Sequence, residues 1–155
     1  MERALTIRNH LNPLHCSRIS SALLDNRQWP NWHRGAKALV TQKAGLITAD
    51  NIITLQQIIK GALVETTWLV ESVENGGNFD EIVFKFIEQN RNERPTAKGI
   101  SNYRVSITIL TKDGGGVEIH SVWQSKGFAK LISRNNAAFV RANAEALLED
   151  LSAIK

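Results

Sequence analysis

The spacing of apolar side chains changes period along the chain, and those changes mark out its elements. Tyr103, Val105, Ile107 and Ile109 alternate with Arg104, Ser106 and Thr108, while Val117, Ile119, Ser121 and Trp123 alternate with Glu118, His120 and Val122. A period of two sends successive side chains to opposite faces, the pattern of a strand with one buried face. Ile82, Phe84 and Phe86, set against Glu81 and Lys85, repeat it across 79–88. Residues 4–7, 36–42, 52–59 and 62–73 read as further strands from their aliphatic and β-branched content. Lys60-Gly61, the run Glu74-Asn75-Gly76-Gly77-Asn78 and the run Asp113-Gly114-Gly115-Gly116 are turn signals, and strands joined by tight turns are antiparallel. The stretch 45–51 reads as a loop, and the polar stretch 89–99, which holds Pro95, as a long one.

Two regions follow the helical period instead. Leu14, Ile19, Leu23 and Leu24 predict a short amphipathic helix, closed by Asp25-Asn26, and Trp29-Pro30-Asn31-Trp32 adds a second helical turn. Residues 128–154 contain neither proline nor glycine and are rich in Ala, Leu and Glu, so they predict one long helix. On a helical wheel Phe128, Ile132, Phe139, Val140, Leu147, Leu151 and Ile154 share a side, away from Lys130, Arg134, Arg141, Glu145 and Glu149. Asn136 and Asn143, a heptad apart, sit within that apolar face, where a buried amide needs a hydrogen-bond partner. The predicted order is one strand, two short helices, six strands and a long helix. An antiparallel sheet with one apolar face needs a cover, and only the terminal helix is long enough to supply it. This is an α+β fold of about seven strands in a single domain over 1–155.

Composition narrows the functional classes. The 155 residues are 43% hydrophobic, with no run approaching a membrane span, and the start of the chain lacks the apolar core of a secretory signal. A lone Cys16 makes no internal disulfide and fits a cytoplasmic setting. The net charge of +4 is spread along the chain rather than gathered into a stripe with stacking aromatics, so no nucleic-acid partner is expected. His10, His15, His33 and His120 have no zinc-type spacing, and no metal or cofactor is predicted. Nucleophile-elbow, phosphate-loop and dinucleotide signatures are absent.

The element order, together with several short motifs, resembles the helix-grip fold of the START-like (SRPBCC) superfamily. That superfamily includes polyketide cyclase/dehydrase and lipid-transport proteins, the birch-pollen allergen family and plant abscisic acid receptors. The carriers are Trp29-Pro30-Asn31-Trp32 before the second strand, and Gly61 followed four residues later by Glu65. To these add Ser101-Asn102-Tyr103-Arg104, the glycines 114–116, and Lys126-Gly127 before an Ala-Leu-rich helix. The resemblance implies a sheet curled around the long helix with an apolar cavity between them. It implies that Glu65, Tyr103, Phe139, Asn143 and Leu147 face that cavity, with Trp32 and His33 at one end. The receptors' gate is reduced here to Lys60-Gly61-Ala62-Leu63 and their pocket lysine has no counterpart, so a hormone-receptor role does not carry over.

Strand phase adds Phe84, Phe86, Val105, Ile107, Ile119 and Ser121 to the inward set. Across 62–73 the phase is open: Leu63, Glu65, Thr67 and Leu69 share one face, Val64, Thr66, Trp68 and Val70 the other. The resemblance selects the face of Glu65 and Thr67. A desolvated Glu65 would have a raised pKa and could transfer protons or hold a polar ligand group; otherwise it is a solvated or ion-paired strand residue. Tyr103 could orient a ligand carbonyl or be a core tyrosine, and Asn136 could line the cavity beside Asn143 or bond to backbone. The loops 45–51 and 89–99 and the Gly61 turn are gating candidates or plain surface loops. The expected function is binding of a small hydrophobic, aromatic or lipid-like molecule by a monomer or homodimer. The alternatives are a polyketide cyclase or dehydratase using Glu65 with Tyr103 or His33, and a module acting through its surface, like a co-chaperone or quinone-handling relative.

Overall fold

The computed structural model describes residues 1–112, 114–127 and 130–155. Strand β1 (Arg3–His10) leads through helix α1 (Pro13–Leu24), a 3₁₀ turn (Asn26–Gln28) and the single-turn helix α2 (Trp29–Trp32) into β2 (Ala36–Thr41). Then come β3 (Ile52–Ile59), β4 (Ala62–Asn75), β5 (Phe79–Arg91), β6 (Arg94–Thr96), β7 (Ile100–Leu110), β8 (Gly116–Ser125) and the long helix α3 (Lys130–Ser152). The predicted helix start at Phe128 and the Asp113 turn position lie outside the described residues. Asn12 caps α1 by accepting from the Leu14 amide, and Pro13 occupies the first turn, where its missing N–H leaves nothing unpaired.

All pairings are antiparallel, in the order β1-β8-β7-β5-β4-β3-β2, with β6 added to β5. This is the expected helix-grip architecture, with α3 lying against one face of a curved sheet. Val105, Ile107, Ile109, Val117, Ile119 and Trp123 are buried on that face, as their alternation predicts, in one core with Ile19 and Leu23 of α1 and Val140, Ala144, Leu148 and Leu151 of α3. The helix packs chiefly on β8 and β1 and approaches β3, β4 and β5 less closely, its Phe139 ring reaching Phe86 of β5.

Three expectations need correction. The stretch 89–99 is not a long loop: β5 runs to Arg91 and turns back through Asn92 and Glu93 into β6. Both turn residues have positive φ, 48° and 68°, as a tight two-residue hairpin turn requires. Pro95 is tolerated because β6 is an edge strand and needs no second ladder of hydrogen bonds. The segment 45–51 is stitched down rather than free to gate. The Asn26 side chain accepts from the Gly45 amide and donates to the Lys43 carbonyl and Asn51, while Ile47 is buried in the core. Ile132, placed on the buried side by the wheel, is exposed near Gly99, because the buried stripe of α3 centres on Asn136, Val140, Ala144, Leu148 and Leu151. Among the described residues no helix is long and apolar enough to cross a membrane.

Candidate functional site

Where α3 stands off the sheet, a cavity of about 500 Å³ opens between its C-terminal half and strands β3, β4, β5 and β7. That volume lies within the usual range for small-molecule sites, roughly 300–1,000 Å³. Its walls are largely aromatic and aliphatic: Trp29 and Trp32 of α2, Leu55 and Ile59 of β3, Val64 and Trp68 of β4, and Phe84 of β5. Val105 and Ile107 form the floor on β7, and Phe139, Ala142, Asn143, Ala146 and Leu147 hang from α3. The rings are locked edge to face. Trp29 meets Phe84 at 5.6 Å, Trp68 meets Phe84 at 6.2 Å and Tyr103 at 5.6 Å, and Tyr103 meets Phe139 at 6.0 Å. Such pairs hold their geometry with modest gains beyond burial, so the walls are pre-shaped. A larger groove of about 750 Å³ lies outside, between α1, α2 and the end of the chain; it is more open and shares Trp32 and Asp150 with the cavity wall.

The α2 turn aims its two tryptophans by hydrogen bonds. Trp29 Nε1 donates to the Leu23 carbonyl at 2.9 Å, and Trp32 Nε1 to that of Ala22 at 3.2 Å. His33 stacks on Trp32 with centroids 3.8 Å apart, and its Nε2 atom is sealed from solvent with no hydrogen-bond partner. Burial disfavours the imidazolium and pulls the His33 pKa down to about 3, so the ring is neutral at physiological pH. On the opposite wall Asn143 donates from Nδ2 to the Tyr103 hydroxyl at 2.9 Å. Tyr103 is buried, and desolvation raises its pKa well above the ordinary phenol value, so it stays protonated. The site thus carries uncharged hydrogen-bonding groups inside an apolar shell.

Of the residues singled out from sequence, Trp32, His33, Phe84, Val105, Ile107, Phe139, Asn143 and Leu147 line the cavity. Phe86 and Tyr103 stand just behind its wall, packed on Trp68 and Phe139. Ile119 and Ser121 are buried on β8 away from it, and the Ser121 hydroxyl has no partner among the described residues. Asn136 donates to the Gly99 carbonyl and to the Ser125 hydroxyl, both at 2.9 Å, and serves as a clamp rather than a lining group.

Glu65 and Thr67 are on the wrong face. Glu65 accepts from Gln56 Nε2 at 3.0 Å and Thr67 bonds to Thr54 at 2.8 Å, both on the sheet's other side. The inward set of β4 is Ala62, Val64, Thr66, Trp68 and Val70. The two faces of this strand are almost equally apolar in sequence, so periodicity could not choose between them. Many other lining residues were missed, among them the polar Gln89, Arg91 and Lys60. A register shift opposite Thr67/Trp68 leaves Ile87 unpaired in β5. That bulge reverses the alternation, so Phe84 and Phe86 are followed on the inner face by Gln89 and Arg91.

No protein-family model matches the chain, and no curated protein matches it by sequence. Solved structures do share its shape. The major latex-like protein 151 from Panax ginseng superposes with a TM-score of 0.72 at 9% identity, covering 99% of this chain and 97% of its own. An aromatase/cyclase, Zhui, from a Streptomyces species gives 0.62 at 11% identity, covering 98% and 91%. A START superfamily protein from Mycobacterium smegmatis gives 0.59 at 11% identity, covering 99% of both chains. The chain therefore has the START-like helix-grip fold, and at these identities the likeness extends to fold alone.

Proposed function

We propose that the protein binds one small, mainly apolar molecule in the cavity between α3 and the sheet, as a carrier or sensor. The observation that carries this reading is the 500 Å³ space itself, walled by preset aromatic rings. Apolar burial would provide the bulk of the affinity, and the Asn143 amide the orientation. The cavity is complete within one chain, so the reading needs no second subunit.

A cyclase or dehydratase resting on Glu65 loses its acid–base group, which lies across the sheet from the cavity. Among the described residues the one lining carboxylate, Asp150, is engaged by the Arg34 guanidinium at 3.1 Å. His33, with a pKa of about 3, is a weak base at neutral pH, far from the matched value that proton transfer favours. Binding is therefore the better-supported reading.

The test uses the protein's own fluorophores. Trp29, Trp32 and Trp68 line the cavity, whereas Trp123 does not. Titration with N-phenyl-1-naphthylamine is expected to quench tryptophan emission saturably at one site. Ala146→Phe, which projects a ring into the cavity, is expected to abolish that binding while the fold is kept. Binding that survives the filled cavity would place the ligand elsewhere, and an absence of saturable binding would count against the reading. Native mass spectrometry of protein taken from its own organism would identify a resident molecule.

A further inference from the structure

The mouth of the cavity is charged in a lopsided way. Arg34, Lys60 and Arg91 border it, against the single carboxylate of Asp150. The acidic end of α3 is already committed. Asp150 and Glu149 both engage Arg34, at 3.1 and 3.5 Å, and the Arg34 amide also bonds to Asp150. Lys60 and Arg91, across the opening on the sheet side, make no ion pair and no side-chain hydrogen bond among the described residues.

Both cations are brought to the rim by local irregularities rather than by regular strand geometry. Arg91 reaches the inner face only because the bulge at Ile87 reverses the phase of β5; in unbroken alternation it would point outward. Lys60 holds the first position of the β3–β4 turn at φ 51°, a left-handed conformation in which Asn or Gly is the easier residue. Gln89, on the same reversed phase as Arg91, lies deeper and is held by Thr66 and Thr96, so the polar gradient runs from neutral inside to cationic at the rim.

From this we infer that the ligand is an anionic amphiphile, with its apolar body among the aromatic walls and one carboxylate, sulfonate or phosphate head between Lys60 and Arg91. The inference rests on the proposed binding function and adds the charge of the ligand to it. At about 30 Å³ per water-sized group, the cavity holds roughly 17 such groups, enough for a two- or three-ring body whose head projects to the rim.

The test compares two probes that differ by one anion. 8-Anilinonaphthalene-1-sulfonate is N-phenyl-1-naphthylamine with a sulfonate added to the same aromatic body. Rim ion pairs contribute about two- to fivefold each, so the sulfonate is expected to bind the wild-type protein roughly tenfold more tightly than the neutral probe. In the double variant Lys60→Gln, Arg91→Gln that preference is expected to fall towards one. A second measurement does not depend on the variant folding: rising sodium chloride is expected to weaken the sulfonate on wild-type protein and leave the neutral probe largely unaffected. Equal affinity of the two probes would overturn the anionic head while leaving the cavity reading standing. A sulfonate preference that persists in a folded double variant would also overturn it, by placing the anion elsewhere. Failure of both probes to bind would overturn it together with the binding function.

Discussion

Replacing Asn136 by alanine tests how α3 is held on the sheet, and its neighbour provides the control. Asn136 is 6% exposed and donates two hydrogen bonds of 2.9 Å, to the Gly99 carbonyl and the Ser125 hydroxyl. A net contribution of about 1 kcal/mol for each gives a loss of about 2 kcal/mol. The Gly99 carbonyl keeps a second donor, the Lys126 amide at 2.7 Å, so it is not orphaned and adds little further penalty. Alanine is the better helix former by about 0.6 kcal/mol, which offsets part of the loss and leaves a net destabilisation of about 1.5 kcal/mol. At about 2–4 °C per kcal/mol for a domain of this size, Tm is expected to fall by about 3–6 °C. Asn135 is exposed and makes no side-chain hydrogen bond among the described residues, so Asn135→Ala keeps only the propensity gain. It is expected to raise Tm by about 1–2 °C. The assay is urea unfolding of both variants, with Ser125→Ala added to form a double-mutant cycle whose coupling with Asn136→Ala should be about 1 kcal/mol. If Asn136→Ala and Asn135→Ala agree within about 0.5 kcal/mol, the amide is not a clamp and this reasoning fails.

Three further outcomes follow from the same structure. His33 is held neutral by burial with a pKa near 3, below its unfolded value of about 6.5; the unfolded chain therefore binds more protons between those limits, and stability falls as pH drops through that window. The loss has a limiting slope of about 1.4 kcal/mol per pH unit, and His33→Gln should remove this component from the difference in urea midpoints between pH 7 and pH 5. Gly35, at φ 65°, has the Ile58 carbonyl oxygen 2.3 Å from where a Cβ would stand, so Gly35→Ala is expected to cost about 2 kcal/mol or more in thermal unfolding; an unchanged Tm would show that the β2–β3 edge yields. Glu65→Gln should leave the affinity for N-phenyl-1-naphthylamine unaltered, because Glu65 lies on the far side of β4; a substantial loss would return Glu65 to the site.

Legibility in the sequence followed the strength of each local signal. β7 and β8 alternate cleanly because one face is buried under α1 and α3 and the other is not, so the inward placement of Tyr103, Val105 and Ile107 could be read directly. β4 carries Leu63 and Leu69 on one side and Val64 and Val70 on the other, and its phase was decided by family resemblance, in the wrong direction. The bulge at Ile87 was invisible for a different reason. It exists only in the pairing of β5 with β4, and no turn residue announces it, yet it determines which of Gln89, Asn90 and Arg91 face the cavity. Asn92-Glu93 was equally silent as a hairpin, since only one of its residues favours positive φ.

The two asparagines that stood out on the apolar face of α3 explain why a cavity exists at all. Asn136 fastens the N-terminal half of the helix to β8 and to the start of β7 through Ser125 and Gly99. From that anchor Val140, Ala144, Leu148 and Leu151 run along the β8–β1 side, so the helix axis lies over one edge of the sheet. Its flank towards β3, β4 and β5 carries Phe139, Asn143 and Leu147 interleaved with the short side chains of Ala142 and Ala146, which cannot fill the gap. Close packing would be restored if that flank carried large apolar residues throughout. The chain instead places Asn143 on that flank, bonded to Tyr103 behind the wall, with His33 lining the cavity from the end of α2. One amide thus positions the helix, and the other sits in the wall of the space that the positioning leaves, which small side chains on that flank keep open.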